Sequence, residues 1–154
     1  MVIIFLILPI IGIYMYADQK NINFSELFSL GAPVLHIGDI PMRVEIANTN
    51  ETRTKGLSDR KALDSVNGLL FVFDTTDYHG IWMKDMRFPI DILWISEDLT
   101  VVGIEEGVSP DTFPTTFRPP QPVRYVLETN VHYADSFGIG VGQKVVLPID
   151  LRKD

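Results

Sequence analysis

The stretch from Gly80 to Trp94 sets large apolar side chains beside charged ones and contains both tryptophans of the chain. Read with the two-residue period of a β-strand, positions 82, 84, 86 and 88 share one face, and positions 81, 83, 85 and 87 share the other. Neither face is wholly apolar, a pattern expected beside a binding site. Because Pro89 has no N–H for a strand ladder, we expect it to interrupt this strand, and we expect a second strand over Ile90–Ile95.

Asp91 shares one face of this second strand with Leu93 and Ile95, so its carboxyl group stands on an otherwise apolar surface. An ionised carboxylate is costly to bury without partners. We therefore expect Asp91 to meet either a cation or several N–H donors.

Apolar runs elsewhere predict further strands. A hairpin over Val34–Ile37 and Met42–Ala47 is expected to turn at Gly38 and Asp39. The unbroken apolar run Leu69–Phe73 indicates a central strand covered on both faces. The remaining strands are predicted at Thr100–Glu106, Val123–Glu128 and Lys144–Ile149.

One short helix and one long loop complete the predicted domain. Asn48 as N-cap, with Glu51 three residues later, resembles a capping box, and the helix that follows should end between Gly56 and Ser58. The segment Val108–Pro122 holds half of the ten prolines. Because prolines fix φ and the two phenylalanines of this segment need cover, we expect an ordered loop packed on the domain.

The first 17 residues, Met1–Ala17, contain no charged side chain. As a helix they would rise about 25 Å, at the short end for a bilayer core of about 30 Å. Tyr14 and Tyr16 at the far end fit a membrane interface. We predict an uncleaved membrane anchor at 1–17, a tether at 18–31 and a globular domain at 32–154. A cleaved signal peptide is the alternative.

Composition excludes several function classes. The formal net charge is −7, which argues against a nucleic-acid partner because phosphate binding needs an excess of Lys and Arg. Cysteine is absent, so disulfides, thiolate catalysis and cysteine-ligated metals are excluded. His36, His79 and His132 lie far apart without the spacing of a metal site, and we predict no metal and no cofactor.

The chain resembles the family called domain of unknown function 192 over residues about 40 to 148. The resemblance rests on a series of short matching segments in the same order and spacing, which are Arg53–Arg60, Gly68–Phe73, Trp82–Met86, Pro89–Asp91, Tyr125–Glu128 and Gly142–Val145. The chain departs from the family pattern at Asp85 and Met86 and at Thr129–His132. The resemblance implies a compact, barrel-like β domain, antiparallel or mixed, with one short helix. It also implies an exported or membrane-anchored protein, so we expect the domain to be extracytoplasmic, and it brings no established activity.

The residues that pair charge with large apolar side chains are the candidate ligand-binding set, which is Arg53, Arg60, Trp82, Met83, Lys84, Asp91 and Glu128. Two function classes follow. The first is a membrane-tethered module that binds a small polar or anionic ligand, with Trp82 and Met83 as the floor of the pocket and the proline-rich loop as its rim. The second is a hydrolase that uses Asp91 or Glu128 as acid or base, with Asp85 as a further candidate for a carboxylate pair.

Geometry separates these classes. A binding or structural module should lock each carboxylate to a cation, whereas an enzyme should leave one carboxylate without such a partner in a cleft. A third class, an interaction domain without a small ligand, would present a flat and exposed Trp82 region.

Overall fold

The computed structural model of this chain describes residues 33–64, 67–148 and 151. The predicted anchor at 1–17 and tether at 18–31 lie outside these residues. Within the part of the chain that is described, no helix is both long and apolar enough to cross a membrane.

Nine strands and two short α-helices make up the described fold. The strands are β1 (Val34–Ile37), β2 (Ile40–Ala47), β3 (Asn67–Asp77), β4 (Ile81–Trp82), β5 (Ile90–Ile95), β6 (Val101–Val108), β7 (Thr116–Phe117), β8 (Val123–Asn130) and β9 (Val145–Val146). The helices are α1 (Asn50–Lys55) and α2 (Tyr133–Ser136), and a 3-10 turn covers Pro110–Thr112.

Seven strands form one mixed sheet in the order β6-β5-β8-β3-β2-β1-β9, and β4 pairs with β7 in a separate ribbon. β2 and β3 run parallel, and all other neighbours in the large sheet run antiparallel. The two ends of the large sheet, at β6 and β9, approach each other. Two hydrogen bonds link them: Val101 N donates to Gln143 O at 2.9 Å, and Val145 N donates to Leu99 O at 2.8 Å. The sheet is therefore curled into a half-barrel, as the mainly β, barrel-like prediction requires.

Each face of the sheet carries its own apolar cluster, since successive strand residues point to opposite faces. Leu70, Leu93 and Leu127 belong to the first cluster, which α2 also joins. Phe71 and Trp94 belong to the second. Leu57 after α1 and Ile81 and Met83 of the β4 region pack on this second face.

Most of the predicted strands are confirmed. β5 spans Ile90–Ile95 as expected, and all six of its residues are buried. β3 is central, between β2 and β8. The proline-rich loop is ordered, and its β7 segment pairs with β4.

The predicted strand over 81–88 is wrong beyond Trp82. The reason is Asp85, which has φ 57, in the left-handed region that ends a strand. Instead of a ladder, this segment makes contacts with the chain after α1: Ser58 Oγ donates to Lys84 O at 2.9 Å, and Asp59 N donates to Asp85 O at 2.8 Å.

Smaller corrections concern element ends. The helix cap is Thr49, whose side chain accepts from Thr52 N, so Asn48 is not the cap. The helix ends at Lys55 with Gly56 as its C-cap, at the start of the predicted range. The helical turn α2 was not predicted. The last strand covers only two residues of the predicted Lys144–Ile149.

Candidate functional site

A small pocket opens where the last turn of α1 meets the β4 segment above the centre of the sheet. Its volume is about 60 Å³. It is lined mainly by polar groups, and its walls are Arg53, Thr54, Lys55, Gly56, Ser58, Phe71, Gly80, Ile81, Trp82 and Glu128. We call it the Glu128 pocket. Arg53, Trp82 and Glu128 of the predicted set line it, whereas Arg60, Met83, Lys84 and Asp91 do not.

Glu128 lies on β8 in the middle of the sheet, with Leu69 of β3 and Ile92 of β5 directly beside it. Both neighbours belong to the second apolar cluster, so the Glu128 side chain points to that face. The residue is only 5% exposed, and its Oε2 atom makes no hydrogen bond with the described residues. Burial raises the pKa of this carboxyl to about 8, and the nearby Arg60 charge only partly opposes the rise. Glu128 is therefore an uncharged acid at neutral pH.

Arg60 does not neutralise Glu128, because its guanidinium is already bound to Glu45 on β2. Nη1 lies 2.5 Å from Glu45 Oε1 and Nη2 lies 2.7 Å from Glu45 Oε2, the two parallel bonds of a bidentate pair. These bonds from Arg60 lower the pKa of Glu45. Arg60 is thus held at Glu45, and β3 lies between Glu45 and Glu128.

Arg53 forms a wall of the pocket with its hydrogen-bonding groups turned to other residues. Nη1 donates to Val72 O at 2.8 Å and to Asn48 O at 3.0 Å. Nη2 donates to Asn50 Oδ1 at 2.8 Å and forms an ion pair with Asp74 at 3.1 Å. Both terminal nitrogens therefore hold α1 against β3, which is a structural task.

An aromatic pair stands beside the pocket. Trp82 lines the pocket and is 50% exposed, and its ring meets the Phe113 ring edge-on at 6.1 Å between centroids. Phe113 comes from the proline-rich loop, so this loop contacts Trp82, and its role as the rim of a binding pocket stays a prediction. Lys84 Nζ lies 5.9 Å from the centre of the Trp82 ring, in a cation–π arrangement. Met83 is 1% exposed and packs in the core beneath, so its place is in the second apolar cluster.

Asp91 is fully buried, and its carboxylate accepts three backbone N–H groups. Gly107 N lies 2.9 Å and His132 N 3.2 Å from Oδ1, and Ala134 N lies 3.1 Å from Oδ2. The expectation of several N–H donors is confirmed. Asp91 pairs with Thr129 across the β5–β8 ladder, one position beyond Glu128, so the two carboxylates point to opposite faces of the sheet. They cannot flank one scissile bond.

Several wall residues were missing from the predicted set. Thr54, Lys55, Gly56 and Ser58 lie between Arg53 and Arg60, inside the segment that carries the family resemblance, so extending the set along that segment would have found them. Glu45, the partner of Arg60, gave no signal in the sequence, although it lies in the same cross-strand row as Glu128. In the described ranges, no group of three His, Cys, Asp or Glu residues is placed to hold a metal ion.

Comparisons with known proteins agree with this architecture. The family model described as "Uncharacterized ACR", domain of unknown function 192, matches residues 34–147. The chain is similar to a crystal structure from Sinorhizobium meliloti 1021 named as a candidate transcription regulator, with 30% identity, a TM-score of 0.70, and coverage of 74% of this chain and 91% of the other.

A crystal structure of a protein of unknown function from Novosphingobium aromaticivorans DSM 12444 is similar to the same degree, with 30% identity, a TM-score of 0.70, and coverage of 77% of this chain and 88% of the other. No curated protein matches the chain. Since the family model spans almost the whole described domain, the chain belongs to the family known as domain of unknown function 192.

Proposed function

We propose that this protein binds a small polar ligand, or the polar end of a larger one, in the Glu128 pocket. The observation that carries the proposal is that Glu128 lines the pocket and that its Oε2 atom is buried without a hydrogen-bond partner among the described residues. Buried polar groups in proteins are nearly always hydrogen-bonded, so an exception beside a pocket needs an explanation.

Stability supports a functional reading of Glu128. Leaving a buried polar group without a partner typically costs about 1–3 kcal/mol, and an apolar residue of similar volume would avoid that cost. Natural proteins accept such costs mainly at sites where activity needs them. A ligand that supplies the missing hydrogen bond would return part of this free energy on binding.

The surroundings favour a ligand of modest size. A volume of about 60 Å³ is several times the roughly 10–15 Å³ that admits one water molecule, so a group of a few heavy atoms fits. The half-exposed rings of Trp82 and Phe113 at the mouth offer apolar cover for whatever extends outward. A few convergent polar groups with apolar cover are typical of small-molecule sites.

The test is a ligand screen on the full-length protein and on Glu128→Leu, read by thermal unfolding and by tryptophan fluorescence. Sugars, sugar acids, carboxylates and amides form the panel. We expect Glu128→Leu to melt at a higher temperature than the wild type, and we expect binders to stabilise the wild type only. The proposal fails if no compound stabilises the wild type, or if binders stabilise both proteins equally.

Acid–base catalysis at Glu128 is the second candidate. The specific observation is that no cation among the described residues forms a hydrogen bond with Glu128, which is the arrangement expected above of an enzyme. Its pKa of about 8 leaves it protonated and able to donate near neutral pH. A single acid without a second carboxylate in the pocket favours binding over hydrolysis. If the wild type converts a bound ligand to product and Glu128→Gln does not, catalysis becomes the favoured function.

Membrane attachment through residues 1–17 and an extracytoplasmic domain remain part of the proposal. They rest on the uncharged apolar run at the start of the chain.

A further inference from the structure

We infer that the group bound in the Glu128 pocket is a carboxylate, held by a hydrogen bond from the carboxylic acid of Glu128 beneath positively charged side chains. This inference rests on the proposed function and names its ligand class.

Glu128 in its protonated form is a hydrogen-bond donor. A protonated carboxyl carries one O–H donor, so its best partner is a strong acceptor. Hydrogen bonds to an ionised acceptor are shorter and about twice as strong as those between neutral groups. A carboxylate oxygen is therefore a better acceptor for the O–H of Glu128 than a neutral hydroxyl or amide is. An uncharged acid kept in an apolar site to donate to an oxyanion is an established use of a raised pKa.

Positively charged side chains gather near the Glu128 pocket. Four cations lie in or near the pocket. Arg53 and Lys55 line it. Arg60 acts on the charge of Glu128 from outside the lining, and Lys84 lies over the ring of the lining residue Trp82. Two of them are neutralised, Arg53 by Asp74 and Arg60 by Glu45. Lys55 and Lys84 have no ion-pair partner within the described ranges, so they add positive charge near the pocket on a chain of net charge −7. Such a local field attracts an anion.

The other carboxylates in the strand row of Glu128 lie away from the pocket. In the cross-strand row that contains Glu128, the next carboxylates are Glu45 on β2 and Glu105 on β6, each separated from it by one intervening strand. Glu45 is bound by Arg60, and Glu105 lies beyond Ile92 at the far side of β5. Neither lines the pocket, so no ionised carboxylate stands where the guest would sit.

A proton-linked affinity follows from this arrangement. While Glu128 is uncharged it donates to the guest, and once it is ionised it repels the guest. Carboxylate affinity should therefore be constant below about pH 7 and should fall about tenfold per pH unit above the pKa of about 8. The charged side chains that line the pocket with Glu128 are Arg53 and Lys55, and Arg60 lies nearby.

The experiment compares three probes of similar size with the full-length protein in a non-ionic detergent, using ligand-observed NMR and tryptophan fluorescence. The probes are acetate, acetamide and methylammonium. Three variants accompany the wild type: Glu128→Gln keeps a neutral donor, Glu128→Leu removes it, and Lys55→Gln removes one charge at the wall.

We expect acetate to bind best. Glu128→Leu should weaken acetate binding about ten- to a hundredfold, the loss of a hydrogen bond to a charged group. Glu128→Gln should retain most of the binding and lose its dependence on pH, and Lys55→Gln should weaken it a few-fold and reduce its sensitivity to salt. Preference for acetamide or methylammonium with loss in Glu128→Leu would overturn the carboxylate inference and leave the proposed function standing. Binding of none of the three probes would count against both.

Discussion

Replacing Glu128 by glutamine tests the state of the buried carboxyl through folding stability. The ordinary pKa of glutamate is 4.5, and burial raises that of Glu128 to about 8 in the folded protein. Because the folded state holds the proton more tightly, Glu128 contributes fully to stability below pH 4.5, and this contribution is lost as the pH rises towards 8. Relative to Glu128→Gln, the wild type should lose about 1.4 kcal/mol per pH unit, about 5 kcal/mol over the whole interval.

Urea unfolding of both proteins, followed by tryptophan fluorescence at pH steps from about 5 to 8, measures this difference. Groups that titrate equally in both proteins cancel. Asp98→Asn is a matched control, since hydrogen bonds from Ser96, Lys144 and Thr100 hold the pKa of the exposed Asp98 well below its usual range. Asp98 is ionised in both states over this interval, so its difference from the wild type should stay flat. A flat difference for Glu128→Gln as well would refute the reasoning, because it would mean that Glu128 is ionised in the folded protein.

Other substitutions test the frame around the site. Asp91→Asn should lower the free energy of unfolding by roughly 3 kcal/mol, because an amide cannot accept all three N–H groups, and an unchanged melting temperature would contradict its burial. Gly68→Ala should cost about 1–3 kcal/mol by denaturant midpoint, since its new Cβ would lie 2.7 Å from Met42 Sδ, and wild-type stability would show that this core yields. Lys84→Met should change stability by less than about 1 kcal/mol in thermal melts, since its ring contact is exposed, and a larger loss would assign Lys84 a structural role. Full-length protein should resist carbonate extraction from membranes through Met1–Ala17, and its release would contradict the anchor.

Local patterns predicted the strands well where burial alone decides them. Ile90–Ile95 and Leu69–Phe73 are apolar enough that any fold must bury them, and both form central strands. The burial of Asp91 also followed, because its face was fixed by its neighbours at 93 and 95.

The pocket itself depends on contacts between distant residues, which local patterns do not contain. The segment after Trp82 leaves the strand conformation at Asp85, and Ser58 and Asp59 bind it from 26 positions away. The same limit applies to charge pairing. The sequence did not show which carboxylate Arg60 would bind, and the structure pairs it with Glu45 of β2. The Oε2 atom of Glu128 is left without a hydrogen-bond partner among the described residues.

Crystal structures of the protein soaked separately with acetate and acetamide show whether the Glu128 pocket receives a ligand. Matched crystals of Glu128→Leu serve as the control. We predict one of these ligands between the last turn of α1 and Trp82, with an oxygen about 2.5–3.0 Å from the Glu128 carboxyl, and a pocket without ligand in Glu128→Leu. A wild-type pocket that takes up neither ligand would contradict the proposed binding. An Arg60 that has left Glu45 and binds Glu128 would explain that result.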